Sequence, residues 1–473
     1  MRHLPCTLLP LLATLLTWPW SVCPGAESAA APATPDPRLA PTLEAYAPVA
    51  ARLIAGAQES DAAYRRLAEL CDTFGPRITG STNLESAIDW VLEQLRRDGF
   101  SNVHGEPVAV PHWVRGRESL EMLLPRPHAM RVLGVGGTIP TPPGGIEGEA
   151  LVVRDFADLK ARAAEAVGKI VVYDLPFTEY GTTVAIRTRG ALEAARVGAI
   201  GSLIRSVGPF SMQTPHTGMM EQGAAGTRRI PHAAITSEDA AMLRRMQERG
   251  ARIQLHLALE NESLPNATSR NVVAEIPGRE FPQEVVVVSG HIDSWDVGQG
   301  AVDDGGGCIA AWEALRLVKR LGLQPRRTLR LVLWTGEESG IWGAKAYREA
   351  HAAELARHVL AMESDRGAFA PEGFAFTGSE RAQPWVRGLA AFLEPIHSGH
   401  ITLGNGGMDV MELLQGGGVP AMDLVVDRTR YFWYHHSDAD TVDKLDPKEL
   451  NLCVATLAVM AHGVADLPIT LPR

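Results

Sequence analysis

A group of histidine and carboxylate side chains follows a predicted buried strand in the middle of the chain, and such groups commonly bind metal ions. Residues 285–288 are four consecutive valines, a β-branched run typical of a strand buried on both faces. His291, Asp293, Asp303 and Asp304 follow closely. Burying such groups is costly unless something pairs with them. Because ligands of open α/β sheets bind beyond the carboxyl ends of the strands, one interpretation is a metal site there, and the other is a solvated acidic loop.

Two further predicted strands also end in acidic residues. The segment 328–334 precedes Glu337 and Glu338, and the segment 358–362 precedes Asp365. If the three strands share one sheet edge, their like charges destabilise the fold unless they are protonated or bind cations. Carboxylate and imidazole ligands without thiolate suit zinc, cobalt or manganese. Two such ions about 3.5–4 Å apart would need one shared carboxylate.

A second source of imidazole ligands is the segment 431–441, YFWYHHSDADT, in which His435 and His436 are adjacent. Adjacent side chains of an extended segment point to opposite sides, so we expect only one of the two to reach a given site. The alternative is an aromatic-rich loop that packs on the sheet and binds nothing.

The elements that must position these residues alternate between helices and strands. The predicted helices span 61–74, 83–98 and 305–320, and the predicted strands of the main sheet span 271–276, 284–289, 328–334 and 358–362. This alternation predicts an α/β fold with a mostly parallel (mixed) central sheet and helices on both faces. Residues 126–265 are rich in Gly and Pro and contain short strands, which predicts a smaller inserted domain of α+β, β-rich type.

The N-terminal segment indicates export. Positively charged residues precede a short apolar run over 8–16, and we interpret residues 1–26 as a secretory signal peptide. Residues 27–59 are interpreted as an N-terminal tether or pre-domain segment, in which the Pro- and Ala-rich residues 29–42 form a flexible tether. The main domain would then consist of 60–125 and 266–473. We expect a secreted or periplasmic protein without stable membrane insertion.

Composition excludes some functions. The net charge of −10 argues against a nucleic-acid partner. Cys71, Cys308 and Cys453 remain after the expected signal, and three scattered cysteines do not make a disulfide framework. We expect them to be buried in the core.

Four motifs occur in a fixed order: GHIDSWDVGQGAVDDGGG, WTGEESGIWGAKAY, MESDRG and HHSDADT. The ordered set closely resembles the co-catalytic dizinc exopeptidases. FGPRITGS near the N-terminus and RSVGPFSMQTPHTG in the insert extend the resemblance over nearly the whole mature chain. The insert itself resembles a protease-associated domain.

The resemblance implies a set of metal ligands. His291 and Asp365 would bind one Zn²⁺ ion, Glu338 and His436 would bind the other, and Asp303 would bridge the two. His436 is preferred because its spacing to the Asp-Thr pair that follows matches the family. The family also has a cis peptide bond directly after the bridging aspartate.

The resemblance also assigns the catalytic and substrate-binding residues. Glu337 takes the position of the general base, which accepts a proton from water and delivers it to the leaving amine. Asp293 would fix the imidazole of His291. Asp409 and His435 are weaker candidates for substrate binding.

Together these features predict an exported dizinc metallopeptidase that hydrolyses short peptides, with dipeptides that have free termini as preferred substrates. One alternative is a broader aminopeptidase that acts on longer peptides. Another is a catalytically silent binding or receptor module. Such a module would lack metal ligands or the general base, whereas the five predicted ligands and the base are all present here. The resemblance also suggests a homodimer, and it gives the insert either a role in site access and dimer contacts or the role of a structural lid.

Overall fold

The computed structural model describes residues 36–473. The expected signal peptide and the first part of the expected tether lie outside this range. Within it, no helix combines the length and the apolar composition that crossing a bilayer requires.

The described chain forms two sheets with helices packed on them. The strands are β1 (Ser101–Val114), β2 (Glu118–Leu124), β3 (His128–Met130), β4 (Val132–Gly134), β5 (Ile146–Val153), β6 (Ile170–Tyr173), β7 (Gly201–Arg205), β8 (His232–Ile235), β9 (Gln254–Leu259), β10 (Glu262–Ile276), β11 (Phe281–His291), β12 (Arg327–Trp334), β13 (His358–Glu363), β14 (Pro371–Thr377), β15 (His400–Leu403) and β16 (Ala421–Val426). The helices are α1 (Leu39–Ala57), α2 (Ala62–Phe74), α3 (Thr82–Arg97), α4 (Phe156–Ala161), α5 (Tyr180–Thr183), α6 (Ala185–Arg196), α7 (Ser237–Glu248), α8 (Gly306–Arg320), α9 (Trp342–Ala350), α10 (Gln383–Ala390), α11 (Val410–Gly417), α12 (Tyr431–Tyr434) and α13 (Pro447–Ala465).

The main sheet has the order β1-β10-β12-β11-β13-β16-β14-β15. Its centre, β12-β11-β13-β16, is parallel, and so is the edge pair β14-β15. The pairs β1-β10, β10-β12 and β16-β14 are antiparallel. The predicted mixed, mostly parallel sheet is therefore confirmed. The parallel strands place their carboxyl ends at one edge.

The four valines of β11 alternate between the two faces of this sheet. Val286 and Val288 lie in the core that also contains Trp312 of α8. Val285 and Val287 lie in a second core, on the side of α9. Burial of each such side chain stabilises the fold by about 1.5–3 kcal/mol, so helices on both faces fix the strand that carries His291.

The second sheet has the order β3-β2-β9-β5-β6-β7-β8-β4 and forms the insert. Its strands β5, β6, β7 and β8 are parallel neighbours, and separate cores cover its two faces. This sheet begins at Glu118 and ends at Leu259, so the expected insert of 126–265 is displaced at both ends. β2 was expected in the main domain, but it pairs with β9. The sequence gives little sign of this, because the Gly- and Pro-rich composition of the insert begins only after β2.

The flexible tether expected over 29–42 does not extend to its predicted end, because α1 begins at Leu39 and occupies the pre-domain segment as far as Ala57. Tyr46, Ala50 and Leu53 are buried at helical spacing against the core of the main domain. The Tyr46 hydroxyl donates to the carbonyl of Val459 in α13 at 2.8 Å. The prolines of this segment favoured the prediction of a tether over that of a helix. Pro48 nevertheless lies inside α1.

Arg77, from the FGPRITGS motif, connects the segment before α3 to the loop that follows β11. It is fully buried, and its guanidinium donates to the carbonyls of Ile292, Gly75, Gln299 and Gly300 at 2.7–3.2 Å. The same loop leads to Asp303. Arg77 therefore holds the backbone that positions part of the candidate site.

The substitution Arg77→Leu is expected to lower the free energy of unfolding by at least about 3 kcal/mol, because several buried carbonyls lose their donor. Urea denaturation measures this as a lower midpoint at unchanged slope. Arg117→Leu is the control, because Arg117 is exposed and pairs with Glu260 at the surface, and its midpoint should stay close to wild type. Equal midpoints for the two variants would contradict this role of Arg77.

Candidate metal centre

The predicted ligands come from separate segments that meet at the carboxyl edge of the parallel strands. His291 is the last residue of β11, Glu338 lies just beyond β12, and Asp365 lies just beyond β13. Asp303 belongs to a turn, Ala301–Gly305, that leads into α8 and whose backbone is not helical at Asp303 and Asp304. His436 follows α12.

Their side chains form two groups that share Asp303. Nε2 of His291 lies 3.2 Å from Oδ1 of Asp303 and 3.2 Å from Oδ1 of Asp365. Nε2 of His436 lies 3.2 Å from Oδ2 of Asp303 and 3.1 Å from Oε2 of Glu338. The two oxygens of Asp303 thus face different groups. The peptide bond between Asp303 and Asp304 is cis, as predicted.

This donor set fits metal ions of the zinc type. All the ligand atoms are imidazole nitrogens or carboxylate oxygens, and atoms bound to one ion at 2.0–2.2 Å lie about as far apart as these do. Oε1 of Glu338 is buried without a hydrogen-bond partner, which is costly for a carboxylate. A bound cation would remove this cost.

Imidazole and carboxylate groups lie close enough in the site to shift each other's pKa. Burial alone would lower the pKa of His291, but the carboxylates of Asp365, Asp293 and Asp303 raise it well above its ordinary value. Burial opposes ionisation of Asp303, yet His291 and His436 hold its pKa well below its usual range. Asp303 is therefore an anion held between two imidazoles.

Asp293 connects His291 to Glu337. Its Oδ1 accepts a hydrogen bond from the backbone N–H of Glu337 at 3.2 Å, and its Oδ2 accepts from the Thr79 hydroxyl at 2.7 Å. Nδ1 of His291 lies 3.0 Å from the Asp293 carbonyl and 3.7 Å from its carboxylate. The shorter distance shows that the backbone of Asp293, more than its side chain, orients the imidazole.

Glu337 lines the same cavity as the predicted ligands. Burial raises its pKa well above the ordinary value. The charge of His291 opposes this, whereas Asp365, Glu338 and Asp293 add to it. A carboxylate that favours the protonated form is a suitable proton acceptor at neutral pH.

The expectation that His435 and His436 point to opposite sides is wrong. The segment is not extended, because α12 ends just before it and His436 has φ 60°. The two imidazole rings stack with centroids 3.5 Å apart. Nε2 of His435 is still 3.6 Å from Asp303, farther than that of His436, and His435 does not contact Glu338. His436 stays the predicted ligand, and His435 lies close enough to Asp303 to belong to the same group.

Asp409 is fully buried behind the wall of the site rather than on it. Its backbone N–H donates to Glu363, and neither carboxylate oxygen has a hydrogen-bond partner. Burial, followed by the charges of Glu363 and Glu337, raises its pKa well above the ordinary value. Burial also raises the pKa of Glu363 to about 8, and Asp365 adds to it. The wall itself is formed by Gly407 and Met408.

Three residues that support the site were not identified from the sequence. Asp440 accepts hydrogen bonds from three successive backbone N–H groups, those of residues 301–303, and so fixes the turn that carries Asp303. The indole N–H of Trp295 donates to Glu338 at 2.5 Å. Nδ1 of His436 lies 3.2 Å from the carbonyl of Thr217 in the insert. Of these three residues, only Asp440 could have been identified from the sequence, because it lies in the HHSDADT motif.

A cavity of about 490 Å³ opens onto these residues. The sheet edge that carries the predicted ligands forms one side, and Tyr180, Val184, Arg187 and Met219 of the insert form another. The volume suits a small ligand. The insert is thus part of the wall of the site.

Comparison with known proteins identifies the family. Residues 271–461 match peptidase family M28. Carboxypeptidase Q from Mus musculus is 50% identical over 410 residues, 87% of each chain, and that from Homo sapiens is 50% identical over 87% of this chain and 86% of its own. The family resemblance that the sequence motifs carry is thereby confirmed.

Solved structures agree with this assignment. A peptidase M28 precursor from Shewanella amazonensis SB2B has a TM-score of 0.87 at 36% identity, covering 91% of this chain and 99% of its own. BSAP, a zinc aminopeptidase from Bacillus subtilis, has a TM-score of 0.65 at 19% identity over 84% of this chain and 93% of its own, and shares the fold. This chain therefore belongs to peptidase family M28, in the group of relatives that includes carboxypeptidase Q.

Proposed function

We propose that this M28 peptidase is an exported enzyme that uses two zinc ions to hydrolyse short peptides, with dipeptides that have free termini as its preferred substrates. The main support is the position of Asp303, whose two carboxylate oxygens face separate groups of ligands. His291 and Asp365 would hold one ion, and Glu338 and His436 the other.

The chain's own residues supply the proton transfers. Zinc, when bound, supplies a Lewis acid that lowers the pKa of a water molecule. Glu337 is placed to take a proton from the attacking water and to return it to the nitrogen of the leaving amine. Asp293 keeps the backbone of Glu337 in place through its hydrogen bond.

The form of the cavity supports a short substrate. The insert lies against the carboxyl edge of the sheet, where Tyr180 stacks on Phe432 with ring centroids 4.8 Å apart. A cavity of about 490 Å³ bounded in this way suits a peptide of few residues. The name of the relatives, carboxypeptidase Q, also agrees with an exopeptidase.

The test compares three substrates under the same conditions: a dipeptide, its N-acetyl derivative and a tetrapeptide. We expect kcat/KM to be highest for the dipeptide and activity to be lost when a chelator removes the metal. Faster cleavage of the tetrapeptide would favour the broader aminopeptidase instead. Stoichiometric metal without any hydrolysis would favour a silent binding module.

Three further parts of the proposal need separate measurements. Elemental analysis of the purified protein should give about two zinc ions per chain, as a shared carboxylate requires. Light scattering of the same sample should give the mass of a homodimer. Recovery of the processed chain outside the cytoplasm would support export.

A further inference from the structure

Arg115 lies where the chain crosses from the main sheet into the insert, between β1 and β2. Its guanidinium donates to both carboxylate oxygens of Asp296, from Nε at 2.7 Å and from Nη2 at 2.9 Å. Nη1 donates to Glu118 at 3.0 Å and to the carbonyl of Gly134 at 2.7 Å. Asp296 belongs to the loop that follows β11, whereas Glu118 and Gly134 belong to the insert. One side chain, only 13% exposed, therefore ties the insert to a loop of the candidate metal centre.

The Asp296 end of this contact leads to Glu338. Trp295, the residue before Asp296, is buried, and its indole N–H donates to Oε2 of Glu338 at 2.5 Å. The indole also lies beside the imidazole of His436, with ring centroids 5.5 Å apart. The backbone of the insert at Gly136 packs directly on the indole, since a Cβ atom there would lie 2.1 Å from it. The side chain that orients Glu338 is therefore held by both Asp296 and the insert.

The insert end of the contact leads to His436. The carbonyl of Gly134, which accepts from Nη1 of Arg115, also accepts from the Thr217 hydroxyl at 2.8 Å. The backbone N–H of Thr217 donates to the carbonyl of His436 at 2.8 Å, and the carbonyl of Thr217 lies 3.2 Å from Nδ1 of the imidazole. His436 and Glu338 form one of the two groups of predicted ligands. Arg115 is thus connected to both members of this group through short chains of contacts.

The other group of predicted ligands is held from within the main domain. The backbone N–H of His291 donates to Asp304 at 3.1 Å, and Nδ1 of its imidazole faces the Asp293 carbonyl. Asp365 lies just beyond β13. Within residues 36–473, no hydrogen bond joins the insert to His291 or Asp365. The two halves of the site therefore depend on the insert to different extents.

We propose that Arg115 is a positioning residue that couples the placement of the insert to the affinity of the Glu338–His436 group for its metal ion. The assignment rests on the proposed function, because it requires two ions in groups that share Asp303. Residues that hold metal ligands in place typically contribute about 10- to 100-fold to metal affinity. The planar guanidinium suits this role, since two parallel hydrogen bonds to one carboxylate fix both its distance and its angle.

A purely structural role in the hinge of the insert is the alternative. The two crossings between the domains run side by side, and the backbone N–H of Glu260 donates to the carbonyl of Arg117 at 3.0 Å. This backbone contact holds the hinge independently of the side chain of Arg115. Arg117 lies two positions further along the same crossing, is exposed and pairs with Glu260 at the surface. It is therefore the matched control for Arg115.

The experiment titrates the metal-free, full-length protein with zinc in competition with a chelator of known affinity. Two backgrounds separate the ions: Asp365→Ala should keep only the ion of the Glu338 group, and Glu338→Gln only the ion of the His291 group. Arg115→Gln should weaken zinc binding by about 10- to 100-fold in the Asp365→Ala background, and by less than about threefold in the Glu338→Gln background. Arg117→Gln should leave zinc binding unchanged in both.

Asp296→Asn tests the same contact from its other end, and it decides the outcome if Arg115→Gln does not fold. The amide keeps the shape of the side chain but removes the charge that the guanidinium binds. Zinc binding should again weaken in the Asp365→Ala background and not in the Glu338→Gln background. Urea denaturation of the metal-free variants measures the effect on folding separately.

Three results would overturn the assignment. A lower urea midpoint with unchanged zinc affinity in both backgrounds would show that Arg115 only stabilises the hinge. Equal weakening in the two backgrounds would show that the effect does not follow the contacts to Glu338 and His436. Binding of fewer than two zinc ions by wild type would contradict the proposed function, and the assignment with it, before any variant is compared.

Discussion

The Glu337→Gln variant is expected to bind as much zinc as wild type and to have a kcat lower by about 100-fold or more. The amide keeps the size and the hydrogen-bonding shape of the side chain but cannot accept the proton of the attacking water. The backbone N–H of Glu337 still donates to Asp293, so the loop should keep its position. The measurements are steady-state hydrolysis of a dipeptide and zinc content by elemental analysis.

The neighbouring glutamate provides the comparison for this prediction. Glu338 contacts His436 and Trp295 and has the position of a ligand, so Glu338→Gln should lower zinc content as well as activity. Glu349→Gln is the control, because Glu349 is an exposed residue of α9. If Glu337→Gln lost zinc while Glu338→Gln kept it, the roles of base and ligand would have to be exchanged.

The sequence was sufficient to predict the residues that meet at the sheet edge. The four valines of β11 and the apolar runs of β12 and β13 are buried on both faces of the sheet. Continuous apolar runs of this length are typical of strands in a parallel sheet, so the sequence indicates the sheet directly. A polar residue of the candidate site lies at the end of each of these strands or a few positions after it. The common direction of parallel strands then brings His291, Glu338 and Asp365 together.

The course of the chain outside the strands was harder to predict. The relative position of His435 and His436 depends on a single left-handed residue after α12, and a non-glycine residue gives no warning of that conformation. α1 was missed because a Pro-rich composition outweighed a short helical pattern. Local sequence carries little information where one backbone angle or one tertiary contact decides the outcome.

Contributions of the insert to the site were also beyond local prediction. The carbonyl of Thr217 and the side chain of Arg187 reach His436 across more than 200 positions of sequence. A backbone carbonyl has no residue type to recognise. An arginine in a helix of small residues is normally a surface residue, and only its burial beside the cavity distinguishes Arg187.

Replacing Asp303 with Ala is expected to remove both zinc ions, because the carboxylate is shared by the two groups of ligands. We expect kcat/KM to fall by about 1,000-fold or more, since the loss of metal disables the site as a unit. Asp365→Ala is the comparison. Asp365 contacts only the His291 group, so this variant should keep the ion at Glu338 and His436.

Zinc-dependent stability tests the same residue without any substrate. An ion that binds only the folded state raises the melting temperature in proportion to the logarithm of its concentration above Kd. Zinc should therefore raise the melting temperature of the metal-free wild type and should have little effect on Asp303→Ala. Without zinc, Asp303→Ala should still be folded, because Asp440 holds the turn through backbone N–H groups and not through the side chain of Asp303. If zinc stabilised Asp303→Ala as much as wild type, Asp303 would not be the shared ligand, and a pair of ions at this sheet edge would have no bridging group.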